Sequence, residues 1–306
     1  MQNRVPHILS LEPLLILTIG ECDSKLLYIA KEAFVMCDYN DLSLGFIKYR
    51  NKKTSNTTKL CNTWLSSFIL GCLGTNAPHV NHNNFVYDNI FKVKKNEKIY
   101  NAIYIAQAYE CKRIELSALV KNMCWITYGG TEEFRKKHLS VGNIDFVNNY
   151  YFSREECCEK INQSWCGLAL SAKEGAMLAA TEYLMCGLPV VSTNSLGGRM
   201  EWFNNKNSII CAANSIDVNK AVNRAIDMVK SGDFNSEEIS RETKIKAQNG
   251  RIKFFDIIKN KYGIDLSHLV DCELFFKRAL QKSKISDFVL AYKENDFNKC
   301  ISLLGN

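Results

Sequence analysis

Residues 166–203 read CGLALSAKEGAMLAATEYLMCGLPVVSTNSLGGRMEWF, and this stretch decides the fold. Its apolar run at 167–170 ends at Ser171 and has the character of a buried strand. Glu174-Gly175 then opens a segment rich in Ala, Leu and Met, the composition of a helix. Cys186-Gly187 ends that helix and Pro189 forbids its continuation. A second apolar run at 190–193 follows at once and closes on Gly197-Gly198. Strand, helix and strand with tight junctions make a βαβ unit. Two carboxylates, Glu174 and Glu182, lie eight positions apart along it.

The same alternation extends on both sides. Downstream of residue 98 the chain predicts strands at 99–105, 123–128 and 144–147, with a helix at 112–120 and a helix or loop at 131–138. Ser153-Arg-Glu-Glu156 is a capping box that starts a helix running to about residue 164. A last strand at 207–211 and a helix at 216–229 complete the series. Strands separated by helices predict a parallel, doubly wound sheet.

Upstream the pattern is shorter: a strand at 14–19, a helix at 24–36, a strand at 44–49 and a helix from about Thr63 to about Gly74. Residues 78–85 carry no periodicity and predict a loop. From Ser236 onward the pattern is helical throughout. The domain reading is therefore 1–95 as a small α/β lobe, 96–235 as the principal α/β domain, and 236–306 as a helical segment. The charged run 92–98 is the expected connector.

Composition narrows the class of protein. With 306 residues and 46% hydrophobic content, the chain can bury a sizeable core. The 13 Cys are an odd number without CxxC or Cys/His metal spacing, which disfavours a secreted disulfide framework and predicts a reducing cytoplasm. No signal peptide is evident, and the apolar runs at 14–19 and 64–73 are too short to span a bilayer. A net charge of +7 fits solvated surfaces, or attraction to anionic lipid heads or a phosphorylated substrate. Nucleic acid is not expected, because no basic stripe is interleaved with stacking aromatics.

In open parallel sheets ligands bind beyond the carboxyl ends of the strands. Four such ends carry polar or Gly-rich loops here: 106–112, 128–131, 171–175 and 193–199. A helix starting at Gly175 would offer the N–H groups of Ala176, Met177 and Leu178 and the positive end of its dipole to a phosphate. Glu182 would stand about 12 Å further along that helix, where a carboxylate can hold the two vicinal hydroxyls of a ribose. Spacing alone leaves the bland alternative open, that both glutamates are ordinary surface charges. Lys112-Arg113 by itself reads as a solvated helix start. Arg199 faces phosphate or the surface.

Taken as one ordered string, Glu174-Gly175, Thr181-Glu182-Tyr183-Leu184, residues 186–193 and Gly197-Gly198 resemble the donor half of retaining glycosyltransferases of the GT-B fold. The family is the large one with two Glu separated by seven residues. The resemblance covers residues 99 to about 230. It implies an α/β, GT-B-like protein with Rossmann-type parallel sheets in two lobes, a shortened N-terminal lobe and a helical C-terminal tail. It implies that Glu174 contacts the transferred sugar near the reacting carbon and that Glu182 binds the nucleotide ribose. Gly175, Ala176, Met177, Leu178 and Gly198 would line the donor, and Lys112 would neutralise the leaving diphosphate. The family's Arg before that Lys is replaced by Ala106-Gln107, so Arg113 is the substitute. His82, in a segment that resembles the family's interdomain His/Asn loop, would face the donor sugar, with His79 a weaker candidate.

The resemblance further implies a hexosyltransferase that needs neither metal nor cofactor and takes a UDP- or GDP-linked sugar as its donor substrate. Its acceptor would be a glycan, a lipid or a small molecule, and its place the cytoplasm, with a peripheral contact at the inner membrane face. The alternative is a non-catalytic or degenerate sugar-nucleotide-binding subunit. A dehydrogenase-type Rossmann reading lacks the GxGxxG that it requires.

Overall fold

The computed structural model describes residues 5–19, 23–36, 56–72, 76–130, 132–139 and 144–305. The strand expected at 44–49 lies outside them. The chain divides into two units, one formed by Met1–Phe85 with Gln248–Asn306 and the other by Val86–Ala247.

The second unit is built on a six-stranded sheet. Its strands are β5 (Tyr100–Gln107), β6 (Met123–Tyr128), β7 (Ile144–Val147), β8 (Ser164–Ala169), β9 (Val190–Thr193) and β10 (Ser208–Cys211). Every pairing is parallel, and the spatial order is β10-β9-β8-β5-β6-β7. That is the doubly wound order, in which the direction of winding reverses between the first and fourth strands of the unit, β5 and β8. Ile103, Tyr104, Leu168, Val190 and Val191 are withdrawn from solvent. This is why these segments read as unbroken apolar runs rather than alternating ones.

The helix Arg154–Asn162 carries the expected capping box, with Ser153 and Glu156 bonded reciprocally. The helix Leu178–Met185 packs its Tyr183 against β8 and accepts the Ile105 N–H on the phenol oxygen at 2.6 Å. A Cβ on Gly167 would stand 2.1 Å from the Tyr183 ring. Because the phenol is pinned at its far end, the ring cannot swing aside. Gly167→Ala is therefore expected to cost roughly 1–3 kcal/mol as an overpacked core. A thermal melt should fall by several degrees, and a shift of under about 1 °C would show that the ring yields.

The unit boundaries differ from those the composition predicts. The charged run 92–98 is not a connector. The Lys94 N–H donates to Asn162 Oδ1 at 2.8 Å, and Lys98 Nζ to the carbonyls of Asn162 and Ser164 at 2.9 and 2.7 Å. Val86 and Phe91 sit in the same core as β5 and β8. Long lysine stems bury readily while their heads find partners, so a charge run by itself does not mark a linker. At the other end a single helix, Ser236–Tyr262, carries Ile239 and Ala247 into the core of the second unit. Its later residues Phe254, Phe255 and Ile258 belong to the core of the first. An uninterrupted helix leaves no compositional mark where its allegiance changes.

The first unit has a four-stranded sheet in the order β1-β2-β3-β4: His7–Leu11, Leu14–Ile19, Glu32–Met36 and Thr57–Leu60. β1 and β2 form an antiparallel pair, and the others pair in parallel. The helix predicted over 24–36 stops at Ile29. Residues 32–36 form β3, buried on both faces, where a short apolar run satisfies either period. The helix Trp64–Cys72 forms as expected. Residues 267–304, expected as a helical segment, supply Leu269, Phe275, Leu280 and Phe288 to the cores of this unit. The buried Glu32 accepts from Lys261 Nζ at 2.7 Å and from the Tyr262 and Thr58 hydroxyls, tying the end of the long helix to the sheet.

Candidate active site

The reversal of winding between β5 and β8 places two loops side by side, 108–113 after β5 and 170–177 after β8. Residues 112–120 were expected as a helix, but they form two short 3-10 turns, Glu110–Lys112 and Ile114–Ser117. Arg113 between them adopts φ 50°, ψ 45°, a left-handed conformation that no α-helix accommodates. The Tyr104 phenol donates to the Lys112 carbonyl at 2.5 Å and holds the turn against the strand.

Lys112 and Glu174 meet across the switch point. Lys112 Nζ lies 2.7 Å from each carboxylate oxygen of Glu174, and the two side chains are 16% and 15% exposed. Ser171 donates its hydroxyl to Glu174 Oε2 at 2.6 Å. The segment 172–175 is stitched to 195–198 by backbone bonds. The Glu174 N–H donates to the Leu196 carbonyl at 3.0 Å, that of Leu196 to Ala172 at 3.0 Å, and that of Gly198 to Gly175 at 2.7 Å. Gly175 and Gly198 thus join the two loops.

The helix that was expected to open at Gly175 opens at Leu178, with Met177 as its N-cap and no side-chain cap bond. Residues 172–175 are instead drawn into pairing with 195–198, which displaces the helix start by three residues. Ala176 and Met177 are buried and non-helical, so the first-turn N–H groups begin at Leu178. The separation of Glu174 from Glu182 is accordingly not a helical rise. Glu182 sits in the middle of the helix, where burial pushes its carboxyl up to about 7 and Arg154 opposes that shift. The Tyr128 phenol, on the last residue of β6, is likewise pushed up by burial and by the nearby Glu182.

Arg113 and Arg199 both engage the strand ends beside the site. The Arg113 guanidinium bonds the Leu170 carbonyl through Nε at 2.7 Å and the Thr193 hydroxyl through Nη2 at 2.7 Å. It clamps the ends of β8 and β9. Arg199 does not face the surface: it is fully buried, and its guanidinium bonds Ser171, Ser192 and Thr193. His82 lies in the first unit, in the turn His82–Phe85, and is buried. Its N–H donates to Asn62 Oδ1 at 2.9 Å and its Nδ1 lies 3.4 Å from Asn62 Nδ2. His79 makes a backbone bridge with Cys61.

Reasoning from sequence missed Ser171, Tyr104 and Thr193. Ser171 had a readable signal, as a hydroxyl at the end of a buried strand three residues before the motif Glu. Tyr104 and Thr193 had none, because each acts through a hydroxyl whose partner is set by tertiary packing. Among the described residues, no cluster of three His, Cys, Asp or Glu could hold a metal ion, and no helix is long and apolar enough to cross a membrane.

Two α/β units, one of them a doubly wound parallel sheet with a cation and a carboxylate meeting at its switch point, are the make-up expected of a GT-B-like protein. Residues 89–246, just over half of the chain, match the model of the family described as glycosyl transferases group 1, and the chain belongs to that family. Several solved structures share the fold. HepE of Anabaena, determined with UDP, superposes with a TM-score of 0.59 at 11% identity, covering 80% of this chain and 78% of its own. Sucrose-phosphate synthase of Thermosynechococcus elongatus gives 0.54 at 12% identity, with 81% and 74% covered. TarM gives 0.51 at 16% identity, with 76% of this chain covered. The present chain spans about half the length of TarM, 51%. No curated protein sequence matches this one.

Proposed function

We propose that the protein transfers a sugar from a UDP- or GDP-linked donor to an acceptor hydroxyl, with retention of anomeric configuration and without a metal. The observation that carries this reading is the Lys112–Glu174 pair at the switch point of the sheet, 2.7 Å apart at both carboxylate oxygens. Glu174 accepts from hydroxyls of the transferred sugar, and the Glu174-to-Glu182 spacing is that of the family's paired glutamates. Lys112 offsets the charge that develops on the departing diphosphate, which is the part a metal would otherwise play. The acceptor hydroxyl enters on the face the diphosphate leaves. The backbone from Gly175 to Leu178, with Gly198, lines the donor.

The acceptor is a glycan, lipid or small molecule. A cytoplasmic site with a peripheral contact on an anionic membrane face is supported by the net charge of +7 and by the exposed Trp64, Leu65 and Phe68 on one short helix. The test of the central claim is product formation from UDP- and GDP-sugars, read for anomeric configuration by NMR. An inverted product would remove retention, and no product from any donor would remove transfer.

A second reading, a sugar-nucleotide-binding subunit without turnover, is favoured by one observation. Ala106 and Gln107 stand at the positions where the family would place an Arg, and Arg113 bonds Leu170 and Thr193. Calorimetric binding of nucleoside diphosphates without transfer would select it.

Glu182 supplies a pH prediction. With its carboxyl pushed up to about 7 by burial, it is protonated at pH 6 and ionised at pH 8, and only the carboxylate accepts from both ribose hydroxyls. UDP affinity is expected to rise about tenfold at most across that interval, and to be flat in Glu182→Gln. The folded acid holds a proton that the unfolded chain has already released. Stability from this group is therefore full below its unfolded value of 4.5 and is lost as pH rises through about 7. Ligand-free melting temperature should fall over that window, and fall less in Glu182→Gln. Affinity that is independent of pH in the wild type would contradict the ribose role.

A further inference from the structure

Arg199 is fully withdrawn from solvent. Its guanidinium donates from Nη1 to Ser171 Oγ at 2.7 Å. From Nη2 it donates to the Ser171 carbonyl at 3.0 Å, to Ser192 Oγ at 3.3 Å and to the Thr193 carbonyl at 2.9 Å. Burying a cation is costly, and an apolar side chain of similar volume would fill the space without that cost. Packing alone therefore does not account for an arginine here.

The account lies on the other side of Ser171. A guanidinium can only donate, so its bond to Ser171 Oγ occupies a lone pair and leaves the hydroxyl proton for Glu174 Oε2, 2.6 Å away. Lys112 Nζ takes one acceptor site on each Glu174 oxygen. A carboxylate offers about four acceptor sites. Ser171 and Lys112 fill three of them, and the last is on Oε1. The geometry points to Arg199 as a positioning residue: through Ser171 it fixes the Glu174 carboxylate so that the open site on Oε1 receives a hydroxyl of the donor sugar. This rests on the donor reading given under Proposed function. The same guanidinium ties the end of β9 to Ser171, so carboxylate and strand end are held by one group.

The test compares Ser171→Ala, Ser171→Thr, Arg199→Lys and Glu174→Gln in the full chain. Calorimetry gives Kd for UDP and UDP-glucose, with GDP and GDP-mannose run in parallel, and steady-state assays give kcat. Ser171→Ala is expected to leave diphosphate affinity within about twofold while weakening the sugar-linked donor about tenfold and lowering kcat roughly ten- to a hundredfold. Ser171→Thr, which keeps the hydroxyl, should recover most of both. Arg199→Lys should resemble Ser171→Ala, and a variant combining Ser171→Ala with Arg199→Lys should be no worse than the poorer single one, because groups acting in series are not additive. Should Arg199→Lys fail to fold, Ser171→Ala decides.

Wild-type kcat and a wild-type ratio of donor to diphosphate affinity in Ser171→Ala, alongside lost turnover in Glu174→Gln, would overturn the positioning role and leave the transfer reading standing. A wild type that binds donors but transfers nothing would end the transfer reading, and the affinity ratio would still decide the role of Arg199. Failure to bind any of the four ligands would overturn both.

Discussion

Replacing Lys112 by alanine is expected to lower kcat for sugar transfer by about 10²–10³-fold, the usual effect of removing one preorganised charge stabiliser from a transition state. Two effects contribute, and they are separable. The departing diphosphate loses a cation in a site where water is scarce, and Glu174 loses its counter-ion while only 15% exposed. The second effect alone would act through a misplaced or protonated carboxylate. A double-mutant cycle distinguishes them. In a Glu174→Gln background the carboxylate no longer needs Lys112, so a purely structural role predicts no further loss on removing the lysine. The leaving-group role predicts a further loss of about tenfold or more, since the developing phosphate charge is still unopposed. Affinity for the free nucleoside should change little in either case. Full turnover in both Lys112→Ala and Glu174→Ala would remove this pair from the chemistry.

The part of the site that was legible in the sequence is the part carried by order and spacing. Buried parallel strands write themselves as apolar runs, so β6 and β7 fall where the pattern placed them. Glu174 and Lys112 follow such runs and were found on the loops that the runs predict. What was hidden depends on the backbone leaving its local preference. Arg113 takes a left-handed conformation and breaks an expected helix into two turns. Residues 172–175 pair with 195–198 and move the start of the next helix to Leu178. Neither event has a local signature, because each is stabilised by a partner distant in sequence. The arginines show the same limit. Residue type marks Arg113 and Arg199 as phosphate ligands or surface charges, whereas the fold commits both to carbonyls and hydroxyls at the ends of β8 and β9.

Gly197→Ala is the backbone change expected to have the largest effect. Gly197 sits at φ 120°, ψ −175°, a region that is essentially glycine's alone. A Cβ built there would stand 1.8 Å from the Glu174 carbonyl oxygen and 2.8 Å from its carbon. No rotamer relieves a clash between Cβ and backbone, so one of the two loops must move. The loops are joined by the three backbone bonds that place Glu174, and moving either one parts the carboxylate from Lys112 and Ser171. Gly232→Ala separates strain from clash, since Gly232 is also left-handed, at φ 87°, but has no atom within 4 Å of a built Cβ. That control should cost about 1 kcal/mol with kcat unchanged. Gly197→Ala should lose about 100-fold or more in kcat, because displacements near 1 Å at a catalytic group are costly on that scale, and should melt several degrees lower. Wild-type turnover in Gly197→Ala would mean that the 172–175 loop can shift without consequence, and that Glu174 is not held where the reaction needs it.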